Sequence, residues 1–232
     1  MYKKKKILAV VLARGGSKGI KNKNLKKLNG TSLVGRVGMF VKKIKIIDTA
    51  IISTDSIKIG KEALKYKLGF NFLRPKFLSG DKVSDEKVLY HALNKTEKIF
   101  GHEYDVIISL PPTSPLRDKN DINLCIKKLI DKKFDAVWTI SKTDKKFHPF
   151  KSLVTKKNKL KFFFKEGHKI KYRQQLNQTF YRNGACYVFS RKSILKKKII
   201  TNNSSYVISK KYQISIDNIT DLYKAAKLFS KK

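Results

Sequence analysis

Apolar positions along the 232-residue chain follow two alternating spacings. Residues 7–13 are uninterruptedly apolar, the pattern of a strand covered on both faces. Residues 32–43 then place Leu33, Val37, Phe40 and Val41 on one side of a helix. The exchange repeats, with a strand over 49–54, a helix over 57–68 closed by Gly69, and a short strand over 70–73. A helix over 85–100 carries Val88, Ala92, Leu93 and Ile99, and a strand spans 105–110. The loop 111–117 leads to a helix over 118–132, capped by Asp118 or Asn120, and to a strand over 136–140. Strands alternating with helices predict a layered α/β sheet. The rhythm breaks after Ser141, where residues 142–180 are polar, rich in Lys and Phe, and predict hairpins or an arm. Core character returns at 184–189, followed by an alternating strand over 212–216 and an amphipathic helix over 217–229. No repeat or linker interrupts the pattern, which predicts one domain over 1–232 with the arm inserted.

Composition removes several classes. With 41% apolar and 11% aromatic residues the chain can form a core. It has no apolar run of the roughly eighteen residues a membrane span needs. The stretch after Lys6 ends at Arg14 in a glycine loop without a small-residue cleavage site, so a first strand is expected rather than a leader. Cys125 and Cys186 sit in apolar segments without metal-ligand spacing, as buried thiols of a reducing, cytoplasmic compartment would. The net charge of +37 attracts polyanions, but its lysines are spread over the whole chain. Neither a basic-aromatic RNA motif nor zinc-finger spacing accompanies them, so no dedicated nucleic-acid partner is expected. His91, His102, His148 and His168 are expected at surface or helix positions, outside catalysis.

Chemistry concentrates first in residues 13–24, directly after the first strand. Gly15 and Gly16 let backbone N–H groups approach an anion without interference from Cβ, and Arg14, Lys18 and Lys23 can neutralise phosphates. Ligands of open parallel sheets lie beyond the carboxyl ends of the strands, where this loop falls. A tight turn with solvated lysines is the plainer reading. The loop has neither the Gly-Lys-Ser/Thr ending of ATPase phosphate loops nor the dinucleotide fingerprint.

The order of residues is more specific. Arg14-Gly15-Gly16-Ser17-Lys18-Gly19-Ile20, then Lys23-Asn24, resembles the signature loop of the CMP-sialic acid synthetases, the acylneuraminate cytidylyltransferase family. The resemblance continues in register through Ile52-Ser53-Thr54-Asp55-Ser56 and Leu73-Arg74-Pro75 with Leu78-Ser79-Gly80-Asp81. It runs on through Pro112-Thr113-Ser114-Pro115-Leu116-Arg117, Arg173-Gln174-Gln175, and Asn183-Gly184-Ala185 with Tyr187. It implies a three-layer, mostly parallel α/β sheet, Rossmann-like and of the glycosyltransferase-A type, with 142–180 as a dimerisation arm. It also implies transfer of CMP from CTP to the anomeric hydroxyl of an acidic nine-carbon (nonulosonic) sugar by a homodimer. Ala13, Arg14, Gly15, Gly16, Ser17, Lys23 and Asn24 would hold the nucleotide, with Lys23 at the reacting phosphate. Arg74 and Asp85 would lie along the nucleoside. Pro112, Thr113, Ser114, Arg173, Gln174, Asn183 and Tyr187 would line the sugar pocket, Arg173 from across the dimer interface. Asp217, with Ser215, would hold magnesium (Mg²⁺), and Arg14, Lys23 and Asp217 would carry the catalytic charge.

Structural roles compete with these: Arg74 as a loop cap, Tyr187 as a core aromatic, Asp217 as a helix N-cap. Three departures from the family pattern imply a substrate variant. Ser215-Ile216-Asp217 stands where Asp-Ile-Asp is usual, Pro111 where Gln is frequent, and Asp85 near a position that is often Ser. Phosphoryl transfer asks for aligned reactants and fixed positive charge, and Mg²⁺ typically takes one or two carboxylates plus substrate phosphates. Two alternatives stay open: a related nucleotidyltransferase with another sugar or nucleotide, and a basic binding protein without catalysis.

Overall fold

The computed structural model describes residues 1–211 and 213–230. In chain order it has β1 (Ile7–Leu12), a short hairpin of β2 (Lys27–Leu28) and β3 (Thr31–Ser32), α1 (Leu33–Val41), β4 (Thr49–Ser53) and α2 (Ile57–Leu64). Next come α3 (Asp85–Phe100), β5 (Val106–Ser109), α4 (Lys119–Asp131) and β6 (Ala136–Lys142). The hairpin of β7 (Leu153–Lys156) and β8 (Lys159–Phe162) precedes β9 (Phe180–Ser190), α5 (Arg191–Leu195), β10 (Ser204–Ile208) and α6 (Ile219–Ser230).

Six strands form one sheet in the order β10-β6-β9-β5-β1-β4. β1 pairs parallel with β4 and β5, and β10 parallel with β6. β9 runs against both of its neighbours. The continuous apolar run of β1 has the reason anticipated for it. Ile7, Ala9 and Val11 face a cluster with Val34, Val37 and Val41 of α1, Ile59 and Ala63 of α2, and Ile122, Cys125 and Ile126 of α4. Leu8 and Val10 face the opposite cluster, with Leu89, Ala92 and Leu93 of α3 and Ile194 of α5. Helices on both faces of a mainly parallel sheet make three layers. Both cysteines are free and buried.

Several local expectations are corrected. The expected strand over 70–73 is not formed. Gly69 makes an isolated bridge to Ile51, then Phe70 turns onto Gly60 of α2 and the chain leaves the sheet. α2 ends at Leu64, four residues early, because Lys67 takes a left-handed conformation (φ 61) and Leu68 N–H donates back to Ala63 O at 3.2 Å. No strand forms over 213–216, and Tyr212 lies outside the described residues. The alternation there is nevertheless real. Ile214 and Ile216 are buried against α6 and the β2–β3 hairpin, while Ile216 N–H donates to Thr113 O at 2.8 Å. The segment is extended chain pinned by its apolar side, which turns residues 213, 215 and 217 the other way. His148 is buried rather than superficial, its Nδ1 accepting from Phe150 N–H at 3.2 Å.

Candidate active site

Beyond the carboxyl end of β1 the loop 13–24 is shaped from within. Ala13 is buried, with its N–H donating to Ser53 O at 3.1 Å. Gly15 N–H donates to Asp55 Oδ1 at 2.8 Å, so this amide serves the fold and is not free for an anion. Asn24 is buried and donates to Arg14 O at 2.9 Å, fixing the backbone from which the Arg14 side chain departs. Arg14 and Lys18 converge on the two carboxylate oxygens of Asp81, each at 2.6 Å. Those hydrogen bonds, with the two positive charges, hold the Asp81 carboxyl below its usual value.

The loop meets the extended segment before α6. A Cβ on Gly19 would lie 2.2 Å from Asp217 O, so the approach requires glycine. Lys23 Nζ donates to Asp217 Oδ1 at 3.1 Å and Ser215 Oγ to Asp217 Oδ2 at 3.0 Å. Asp217 does not cap the helix. Asn218 Oδ1 accepts from Asp221 N–H at 2.9 Å, and Asp221 Oδ2 in return accepts from the N–H groups of Asp217 and Asn218. The Asp217 carboxylate is thus left to the cleft. Arg14, Ser17, Lys18, Lys23, Thr113 and Asp217 line a cavity of about 360 Å³.

A second cavity of about 280 Å³ adjoins it through Arg14 and holds Arg74, Asp81 and Asp85. Arg74 is 4% exposed, and two of its guanidinium nitrogens, Nε and Nη2, are shielded and without a partner among the described residues. Burial pulls its pKa down, with Asp55 and Asp85 acting in the opposite direction. A buried cation with idle donors is costly unless a ligand completes it, which disfavours a mere loop cap. Asp85 is exposed on the walls of these cavities, and desolvation, then the neighbouring Glu86 charge, pushes its carboxyl up against the pull of Arg182 and Arg74.

A third cavity, of about 660 Å³, joins both others, sharing Asp85 with one and Pro111, Thr113 and Asp217 with the other. Its apolar wall includes Trp138, Tyr187 and Phe189, with the Trp138 and Tyr187 rings edge to face at 4.9 Å. Its polar wall includes Arg182, Gln213 and Ser215. Burial pushes the Tyr187 phenol up. Asn183 lines the cavity, but its amide is already engaged by Thr139, Ser141, Ser209 and Ala185 N–H, so it holds β9 in place. Arg117, buried behind the wall, donates to Ala185 O at 3.1 Å and to Pro111 O, tying the 111–117 loop to β9. Desolvation lowers its pKa to about 10.

Of the residues singled out from sequence, Arg14, Ser17, Lys23, Asn24, Arg74, Asp85, Pro112, Thr113, Asn183, Tyr187, Ser215 and Asp217 line these connected cavities. Ser114 is fully buried beside Gly184, whose φ of 71 and missing Cβ make room for it. Gly16 borders none of the three, and Arg173 and Gln174 lie on the arm, where Arg173 pairs with Asp144 at 3.6 Å. Sequence reasoning missed Arg182, Trp138 and Gln213. The buried neighbour Ile214 could have signalled Gln213, whereas no pattern distinguishes Arg182 from other basic residues of this chain.

Connected cavities at the carboxyl edge of a three-layer sheet, with a cationic loop facing an acidic turn, define a nucleotidyltransferase. The chain belongs to the Cytidylyltransferase family, whose profile matches residues 8–232. It is 28% identical over 217 residues to the CMP-N,N'-diacetyllegionaminic acid synthase of Campylobacter jejuni, covering 93% of this chain and 91% of that protein. It is 27% identical over 219 residues to the pseudaminic acid cytidylyltransferase of the same species, covering 94% and 93%. Among solved structures, CMP:2-keto-3-deoxy-manno-octonic acid synthetase complexed with CTP superposes with a TM-score of 0.73 at 14% identity, over 97% of this chain and 99% of that one, a likeness of fold. No helix among the described residues is long and apolar enough to cross a membrane.

Proposed function

We propose that the protein transfers CMP from CTP to the anomeric hydroxyl of a nonulosonic acid, releasing pyrophosphate in the cytoplasm. The observation that carries this reading is the junction at Thr113 and Asp217. There the cavity lined by Arg14 and Lys23 opens into the larger, half-aromatic one. A nucleotide laid from Arg74 to Lys23 would present its α-phosphate at that junction, and a sugar in the larger cavity would present its hydroxyl from the other side. Arg14 and Lys23 supply fixed positive charge where phosphoryl oxygens gain negative charge. The sugars in the names of those two relatives are both acids of this class, and the aromatic wall with Arg182 beside it suits a ring bearing apolar substituents and a carboxylate.

The donor set fits magnesium in its substrate-assisted form. Among the described residues no group of three His, Cys, Asp or Glu side chains could hold a metal by itself. Asp217, with Ser215 beside it, brings one carboxylate into the phosphate cavity, leaving other positions to phosphates and water. Magnesium held there would neutralise phosphate charge. The arm supports a homodimer: Phe147, Leu160, Phe163 and Tyr172 stand exposed on it, and Arg173 reaches a sugar cavity only if the arm crosses to a second copy.

The test is pyrophosphate release by purified protein given CTP, GTP, UTP or ATP with Mg²⁺ and legionaminic, pseudaminic or sialic acid. Turnover with CTP and one of these acids is expected, and none with any such pair refutes the reading.

A further inference from the structure

A fourth cavity, of about 430 Å³, lies outside the site described above, between α3 and the Lys76–Leu78 turn. Lys87, His91, Asn94, Lys95 and Lys98 recur along one face of α3, and Phe77, Leu78, Tyr90 and Lys197 complete the walls. In a chain of charge +37 a few lysines mean little, but three features separate this groove from the general surface.

First, no carboxylate lines it, so its four lysines share one groove without an acidic side chain among the walls. Second, the cations surround an aromatic floor. Phe77 is 78% exposed, its ring open to stacking, and Lys197 Nζ sits 4.7 Å from the Tyr90 ring centre. Third, both ring nitrogens of His91 are shielded and unpartnered among the described residues, and burial, then Lys95 and Arg74, lowers its pKa toward the neutral form. A neutral imidazole there offers one donor and one acceptor.

We propose that this groove is a second ligand site, for a small molecule joining a flat ring to phosphate, as a nucleoside phosphate does. The ring lies on Phe77 and Tyr90, and the phosphates meet Lys87, Lys95, Lys98 and Lys197. Charge and shape agree on that class: an apolar ligand leaves the lysines unanswered, and inorganic phosphate leaves the rings bare.

The site has a route to catalysis. Leu78 lines both this groove and the cavity holding Arg74. Three residues on, Asp81 grips Arg14 and Lys18 of the phosphate loop. A ligand seated on Phe77 steadies the 77–81 stretch with Asp81 in place, so the loop cations stay engaged and incoming triphosphate must compete with a carboxylate. Occupancy therefore inhibits.

CTP is the probe, titrated by calorimetry without Mg²⁺ at physiological salt into wild type, K95E/K98E and K23A. The expected result is that K95E/K98E, with an unchanged unfolding temperature, binds one CTP fewer per chain than wild type. K23A weakens only the other site. An unchanged number of sites in K95E/K98E overturns the proposal, and so does tighter binding of single-stranded DNA than of CTP at the lysine-dependent site. If CTP fails to enter the catalytic cleft, the loss in K95E/K98E persists while K23A changes nothing, so failure of the catalytic reading is seen separately.

Discussion

Lys23 Nζ meets Asp217 Oδ1 at 3.1 Å, closing a contact between residues 194 positions apart. The lysine side chain is 17% exposed and the aspartate 68%, so a held cation faces a carboxylate open to the cleft. Two local devices create the pair. Gly19 lets the loop come against Asp217 O, and Asn218 takes over the capping of α6 so that Asp217 need not. As an exposed ion pair it contributes little to stability, about 0–1 kcal/mol. Its placement at the junction of two cavities is a matter of chemistry.

Lys23→Ala is therefore expected to leave unfolding nearly unchanged while lowering kcat by roughly 10²–10³-fold, the usual effect of removing one charge-stabilising donor. Asp217→Asn should lose activity comparably, with a raised Mg²⁺ requirement. Initial rates of pyrophosphate release across a magnesium series check both, beside a melting curve.

The glycines of the loop should separate sharply. Gly19→Ala places a methyl 2.2 Å from Asp217 O, which must move; a destabilisation of about 1–3 kcal/mol and loss of turnover are expected. Gly16→Ala meets nothing within 4 Å and should stay within about 0.5 kcal/mol of wild type. Denaturant midpoints of the two variants decide this.

Arg117 acts from behind the wall. Arg117→Met abandons the carbonyls of Pro111 and Ala185, at about 1–3 kcal/mol for acceptors left buried. Because the freed loop carries Thr113, KM for the sugar should rise more than KM for CTP. Steady-state kinetics on both substrates reads the split.

Desolvation makes Asp85 hold its proton more tightly in the folded than in the unfolded chain, so its ionisation costs stability. That cost is absent below the ordinary value of 3.8 and complete above the raised folded value. Asp85→Asn should thus be more stable than wild type at neutral pH, with the advantage shrinking as pH falls and gone in strong acid. Melting temperatures at pH 4 to 7 test the sign. An Asn variant that is less stable at pH 7 would show that Asp85 mainly compensates buried Arg74.

The sheet was legible where both faces of a strand are covered. β1, β4 and β5 announce themselves as apolar runs because helices pack on each side. β10, an edge strand of sequence Ser-Ser-Tyr-Val-Ile, is half exposed and was not anticipated, nor was the five-residue α5. Alternation before α6 reflects the burial of Ile214 and Ile216, but alternation cannot tell a paired strand from extended chain held by one face, and here the hydrogen bond goes to a loop carbonyl. Motif order located the phosphate loop, whereas the partners that shape it, Asp55, Asp81 and Asn218, are visible only once distant segments meet. Arg182 was hidden by the chain's own basicity.

Arg173 offers the most direct test of assembly. Its side chain sits on the exposed arm beside Asp144, outside every cavity described here, so a role in sugar binding requires that it act on another copy. If it does, Lys23→Ala and Arg173→Ala disable different halves of one composite site. A mixed dimer then contains one site with both defects and one with neither, the latter pairing Lys23 of one chain with the arm of the other. Co-expression with random pairing makes half the dimers mixed, so activity should recover to about a quarter of wild type although each variant alone is inactive. Arg173 working within its own chain predicts instead no recovery, since every mixed dimer would hold two singly damaged sites. An Arg173→Ala enzyme with full activity would remove the arm from the site altogether and leave Arg182 to meet the sugar carboxylate unaided.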